Sequence, residues 1–376
     1  MANYDYDVIA VGGGLGGAAL AKVLAEKGLR VLVLERERQF KDRIRGESMV
    51  PWGVAEAQKL GLYDLLLNTC AHQQPFFLFA GMGPPRDLRI TTPQQLPALT
   101  FFHPAMQEVV LEAARNAGAE VWRGAAVRDV RKIRGRQPAT VSVEVNGAER
   151  ELSARLVVCA DGRSSMGRSW GGFEPRRGKQ RLLGAGVMFE NMAVPEDSGY
   201  IKLNPGVQRV AVLFPQGGGR VRAYIAYGPH EIERLQGMGD ADRFIEELVR
   251  SGAPPEFVTG VRPVGPLATF DMTETWVDNP YSDGLALIGD AAGSSDPTWG
   301  QGLSLTARDA RVLAEKLLAN DDWDAAGRAY AREHDIYFQA SIATSGWQSD
   351  LFFDLGPDAD ARRARALPKL MSEPAR

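Results

Sequence analysis

Residues 5–35 read DYDVIAVGGGLGGAALAKVLAEKGLRVLVLE, and this stretch restricts the fold more than any other. Val8–Val11 is a short aliphatic run with the composition of a buried strand, and it leads into Gly12, Gly13, Gly14, Leu15, Gly16 and Gly17. Small and aliphatic residues from Ala18 to Glu26 predict a helix stopped at Gly28, and Val31–Leu34 predicts a second buried strand ending at Glu35. Strand, glycine turn, helix, strand and acid is the order of a βαβ dinucleotide-binding unit. Gly12 permits the tight turn, Gly14 lets the backbone approach a pyrophosphate, and Gly17 lets the helix pack close to the strand. The free N–H groups at the helix start, from Leu15 onward, face the phosphates. Glu35, about 20 residues past the glycines, is placed to accept hydrogen bonds from ribose hydroxyls. The motif by itself does not choose between FAD and NAD.

The 376 residues exceed one small domain, so two domains, or one large α/β domain with an insertion, are expected. Hydrophobic residues at 44% and charged residues at 24% supply an ordinary globular core. A net charge of −3 without a basic stripe argues against a nucleic-acid partner. The two cysteines, Cys70 and Cys159, offer neither a disulfide framework nor metal spacing and suit a reducing compartment. The glycine-interrupted start is no signal peptide and no apolar run reaches the ~20 residues of a membrane span, so a soluble, cytoplasmic chain is expected.

Beyond Glu35 the chain is dense in charge, and Arg36 directly follows the ribose-binding acid, where it could lie against an adenosine. Arg45-Gly46-Glu47 precedes a predicted helix from Pro51 to Gly61; the Arg45 guanidinium could reach a cofactor or pair only with Glu47. Residues 72–103 break the α/β rhythm with phenylalanines around a Pro- and Gly-rich middle, a composition that builds either a core or a pocket for a planar ligand. A helix from Pro104 to Gly118 and four strand-like pieces between Ala119 and Val158 follow, the last two joined by the hairpin signal Asn146-Gly147. The buried run Leu156–Ala160 delivers DGRSSMGR, with Asp161 and Arg168 at its mouth: a ligand-facing strand end or a local Asp–Arg turn. Residues 181–275 read as a mainly antiparallel sheet inserted into the nucleotide unit. Gly284–Ile288 then returns to a parallel strand and delivers GDAAGSSDPTWGQG, with Asp290 at the strand end. The helix from Leu303 to Leu318 presents its N-terminus beside Gly300, Gln301 and Gly302, where negative charge such as that of a reduced flavin is stabilised. A helix around Ala325–Phe338, a segment Trp347–Leu355 and a tail from Asp358 complete the chain.

In order and spacing, GGGLGG with Glu35, DGRSSMGR and GDAAGSSDPTWGQG resemble the three fingerprints of the group A, single-component FAD-dependent monooxygenases, the para-hydroxybenzoate hydroxylase-like family. That resemblance implies an α/β fold: a Rossmann-like FAD domain of glutathione-reductase type with an inserted antiparallel substrate domain and C-terminal helices. The expected division is 1–71, 104–180 and 276–330 for FAD, 72–103 and 181–275 for substrate, and 331–376 as a helical end. It implies permanently held FAD and a transient NADPH or NADH. By motif position, Arg45, Gln107, the backbone near Val127, Asp161, Asp290, Pro297, Gly302 and Leu303 would contact the cofactor. Arg45, His103, Pro297 and Trp299 are the active-site candidates.

The implied chemistry is reduction of FAD by NAD(P)H and oxygenation, through a flavin C4a-hydroperoxide, of an aromatic or other planar hydrophobic molecule, with no protein nucleophile. There are departures. His103 stands where the family often has Arg, and Gly293 where a His often follows GDAA. RGESMVP also resembles flavin-dependent halogenases, and GDAAG resembles geranylgeranyl-reductase-type proteins. However, the halogenases' WxWxIP stretch is missing and no Lys occurs between Lys59 and Lys132. A flavin-fold binding protein without catalysis is a further alternative; substrate, general base and oligomeric state are not specified by these motifs.

Overall fold

The computed structural model describes residues 4–135 and 137–372. Its first sheet has the strand order Tyr281–Ser282, Leu285–Leu287, Ala148–Cys159, Tyr6–Val11, Val31–Glu35, Glu120–Arg123, and the antiparallel strands Ala139–Val145 and Ala125–Arg131 extend from Ala148–Cys159. The glycine turn leads into the helix Leu15–Ala25, as the small residues require. Five of these strands are parallel, and their register is aligned: Val11 lies opposite Cys159 and Leu34, and Cys159 opposite Leu287. Register therefore brings Gly12, Asp161 and Gly289 out at one edge, although they are far apart in sequence. That edge is where open α/β sheets bind ligands.

A second sheet has seven strands: Arg262–Asp271, Leu183–Glu190, Arg220–Tyr227, Arg209–Pro215, Ser198–Asn204, Phe76–Phe79 and Arg86–Asp87. All neighbours are antiparallel except Ser198–Asn204 with Phe76–Phe79. Alternation along each strand gives this sheet two apolar faces. Ala211 and Leu213 point to one core, shared with Phe244 and Leu248 of the helix Ala241–Arg250. Val210 and Val212 point the other way, toward the first sheet.

Three expectations about organisation differ from the structure. Only Phe76–Phe79 and Arg86–Asp87 of residues 72–103 join the second sheet. Ala98–Phe101 instead pairs on one side with Ser48–Met49 and on the other with Ala71–Gln74, and Leu99 and Phe101 are buried in the nucleotide unit's core. The helix around Ala325 and the segment around Trp347 are one 30-residue helix, Trp323–Phe352, so the expected boundary at 331 falls inside it. Asp322 starts this helix by accepting from the Asp324 and Ala325 N–H groups. Its first turns bury Trp323, Ala326 and Tyr330 in the first core, while Phe352 and Phe353 at its end pack with the second sheet. The tail is a further helix, Pro357–Ser372. Among the described residues, no helix is long and apolar enough to cross a membrane.

Candidate active site

A single cavity of about 450 Å³ runs from the first glycine turn, along the sheet edge, to the Val210–Val212 face of the second sheet. It opens where the sequence places its motifs. Gly14, Leu15, Arg45, His103, Gln107, Asp290, Pro297, Gly300, Gly302 and Leu303 all line it.

The turn that closes one end has no room for larger residues. Gly12 has φ +107°, and a Cβ there would lie 2.4 Å from the Ala160 carbonyl oxygen. A Cβ on Gly17 would lie 2.0 Å from the Gly12 carbonyl oxygen. Helix Leu15–Ala25 makes its first backbone bond from Ala18 N–H to the Gly14 carbonyl, so the preceding amides are left for a ligand. Buried Glu35 stands beside the turn, its Oε2 accepting from Gly13 N–H at 2.8 Å and its Oε1 from Glu37 N–H at 2.8 Å. Gln107 covers Gly14, with Nε2 3.2 Å from the point a Cβ would occupy.

A second helix start lies beside the first, where a Cβ on Gly16 would stand 3.0 Å from the Thr306 side chain. In Gly302–Leu318, Leu305 N–H is bonded to the Gln301 carbonyl, while Gly302 and Leu303 line the cavity ahead of it. The Gly289-Asp290 turn is held from behind: Gly289 N–H donates to Asp309 Oδ2 at 2.7 Å, and the Tyr337 hydroxyl donates to the other oxygen. Desolvation pushes the Asp290 carboxyl above its usual range, and Arg45, Arg163 and Arg168 pull it back. His103 Nδ1 lies 2.8 Å from the Gly46 carbonyl, which can only accept, so Nδ1 carries the proton. Burial lowers its affinity for a second proton, so the ring is neutral at pH 7.

Several sequence candidates do not line the cavity, Glu35 among them, with its two oxygens on the Gly13 and Glu37 amides. Asp161 is turned back onto its own loop, accepting from Ser165 Oγ at 2.6 Å and from the N–H groups of Met166 at 2.7 Å and Gly167 at 3.1 Å. Arg168 is not its hydrogen-bonded partner: Arg168 donates to the carbonyls of Asp290 at 2.6 Å, Ala291 at 2.8 Å and Arg163 at 3.1 Å. It is thus a clamp between two strand ends. Arg36 is exposed beside Glu37, and Val127 sits in a strand packed with Trp122. Gln301 spends its side chain on Trp52 Nε1 and the Trp299 carbonyl, both at 2.8 Å. Trp299 packs on Phe352 and Phe353, with ring centroids 6.1 and 5.9 Å away, and belongs to the joint with the long helix. Conversely, Glu47, Arg163, Tyr224 and Phe270 line the cavity without having been singled out. Only Arg163 carried a signal, its place directly after Asp161-Gly162.

Arg168→Met is expected to strip three carbonyls, that of Ala291 buried and those of Arg163 and Asp290 partly so, of their charged donor. Each such bond is worth about 1.5–3 kcal/mol, so a stability loss of about 4–5 kcal/mol, the lower end for three bonds, and at least a tenfold weaker FAD affinity are expected. Thermal melting of the apoprotein and flavin-fluorescence titration measure the two effects separately.

These residues fit FAD. Orphan amides at one helix start suit the pyrophosphate, and the second helix start, which lines the same cavity, suits the flavin's electron-rich edge. The sequence profile described as FAD binding domain matches residues 5–339. Rifampicin monooxygenase from Streptomyces venezuelae is 30% identical over 377 residues, covering 95% of this chain and 74% of that protein. Digeranylgeranylglycerophospholipid reductase 2 from Methanothermobacter thermautotrophicus is 27% identical, covering 82% and 77% respectively. The crystal structure of p-nitrophenol 4-monooxygenase PnpA from Pseudomonas putida superposes with a TM-score of 0.80 at 22% identity, covering 98% of this chain and 96% of that one. The chain belongs to the FAD-binding-domain family, as an FAD-dependent enzyme of the monooxygenase type.

Proposed function

We propose that this enzyme takes electrons from NADPH or NADH and uses O2 to hydroxylate an aromatic or other planar hydrophobic small molecule. The observation that carries the proposal is the continuity of the cavity: one wall is the cofactor cradle, and the facing wall is Val210, Val212, Phe214, Tyr224, Phe270 and Met272. Phe214, Tyr224 and Phe270 meet edge to face, with centroids 6.5 and 6.1 Å apart, and offer flat apolar surface to a ring. FAD, when bound, would supply electron acceptance from the nicotinamide and activation of oxygen. The protein's share is to hold and orient: amides at both helix starts, Gln107 over the turn, and Asp290 with its arginines.

The reductase relatives support a second reading, double-bond reduction. Incubation with NAD(P)H and a panel of aromatics under labelled dioxygen separates the two. The hydroxylase reading expects one labelled oxygen atom in the product. Product formation with two added hydrogens and no label would establish the reductase reading.

A further inference from the structure

Two glycines lie under the apolar wall of the cavity. Gly184 and Gly186 are alternate residues of the strand Leu183–Glu190, so they share one face of the second sheet, while Ala185 and Val187 are buried in the core on the other. Each has an aromatic residue directly across the sheet, Phe270 opposite Gly184 and Tyr224 opposite Gly186. Both rings use the space the glycines leave. A Cβ on Gly184 would lie 2.7 Å from Phe270 Cε2 and Cζ and 2.9 Å from Met272 Sδ, and one on Gly186 would lie 2.5 Å from Tyr224 Cδ1 and Cε1. Cζ and Cε2 are the Phe270 atoms remote from its own backbone. The ring is therefore swung across the neighbouring strand and rests on Gly184.

Phe270, Gly184, Ala226 and Val210 form one row of paired residues, and all of them line the cavity. Strands stand about 4.8 Å apart, so the row is about 14 Å wide. Its two middle positions carry no side chain and a single methyl group, which leaves a floor broader than one aromatic ring. How deep that floor lies depends on where the Phe270 ring rests.

We propose that Gly184, through the resting place it gives the Phe270 ring, sets the size of molecule the cavity admits, and that planar molecules of two fused rings enter because this ring is laid aside. The proposal rests on the reading that this wall receives a planar hydrophobic substrate, and it names the pair of residues that fixes the upper size. Tyr224 bounds the Phe270 ring on one side, with centroids 6.1 Å apart and planes at 87°, and the sheet lies beneath it. A methyl group at residue 184 pushes the ring toward its open side, which is the cavity. The displaced ring then takes the place of the ligand's second ring. Because the effect is steric, it grows with ligand size and disappears when residue 270 is shortened.

The test is flavin-fluorescence titration of the FAD-loaded full chain with methyl benzoate and methyl 2-naphthoate, uncharged esters that differ by one ring. The wild type should bind both. Gly184→Ala should bind the naphthoate roughly tenfold more weakly and the benzoate within about twofold of the wild type, the second result also showing that the variant is folded. Adding Phe270→Leu to Gly184→Ala should restore most of the naphthoate binding, since leucine lacks the Cε2 and Cζ atoms that the new methyl displaces. Equal weakening of both esters by Gly184→Ala overturns the proposal. So does weakening of neither, a double variant that fails to recover the naphthoate, or a wild type that binds the benzoate alone. A wild type that holds FAD and binds neither ester defeats the reading of the wall itself, and the proposal falls with it.

Discussion

Replacing Gly17 by alanine is expected to give a protein that purifies without its flavin. The new Cβ would stand 2.0 Å from the Gly12 carbonyl oxygen and 3.3 Å from the Ala160 Cβ. Neither neighbour is a side-chain tip that can swing aside; both belong to strand ends fixed by the parallel ladder. Helix Leu15–Ala25 must therefore lift from the sheet, and its unbonded amides leave the cavity with it. Overpacking of this kind costs about 1–3 kcal/mol or more in stability. Loss of the amide cradle should weaken FAD binding by roughly a hundredfold or more. Absorbance retained after desalting and apoprotein melting measure these. Gly14→Ala is the contrasting case: its Cβ would meet only the movable Gln107 amide at 3.2 Å. That variant should melt close to wild type yet still bind FAD less tightly, which separates close ligand approach from packing. A Gly17→Ala protein that keeps its flavin through desalting would contradict the account of the turn.

Arg222→Met should be the most damaging change outside the glycine turn, and its damage should depend on pH. The guanidinium is wholly buried and compensates both Asp42 and Glu47. Removing one partner of a buried ion pair costs about 3–5 kcal/mol, because the charge left behind has no water. Glu47 already sits high, at about 7, from burial, and Arg222 is the first of the influences that lower it. Without Arg222 its folded-state affinity for a proton rises further above that of the unfolded chain. A group shifted upward in this way supports folding below its unfolded pKa and withdraws support as pH rises through the folded value. The stability deficit of Arg222→Met should accordingly be smaller near pH 5, where only the lost pairing with Asp42 remains, and should grow as pH rises through about 7. Thermal melting of the FAD-saturated variant against wild type at pH 5 and pH 8 measures the slope. A deficit that shrinks as pH rises would show that the arginine does not compensate Glu47.

The cofactor half of the cavity was legible in the sequence because its chemistry is local. Gly12 to Gly17, Glu35 and Asp290 announce themselves through their position at strand ends, and the parallel register does the rest. The substrate half was not legible, since its parts come from different elements. Glu47 and Tyr224 are 177 residues apart and come together only when the loop carrying Glu47 meets the strand Arg220–Tyr227. Asp161 and Arg168 illustrate a second kind of loss. Their spacing was readable, but whether a carboxylate faces a ligand or caps its own loop depends on where the Ser165 hydroxyl and two amides point. The long helix was read as two pieces because Gly327 and Gly346 weaken its local signal. Tertiary packing overrides that weakness: a Cβ on Gly327 would strike the Tyr281 ring at 2.1 Å, so this glycine is kept for close approach rather than flexibility.

The helix Trp323–Phe352 is a strut ~45 Å long, anchored at one end in each hydrophobic body. The cluster that receives the end of this beam, Phe352 and Phe353, also contains Val210, Val212 and Met272, with Phe270 packed against it. A change at any of those wall positions therefore re-cuts the shape of molecule admitted and loosens the brace at once, so selectivity and rigidity are tied together.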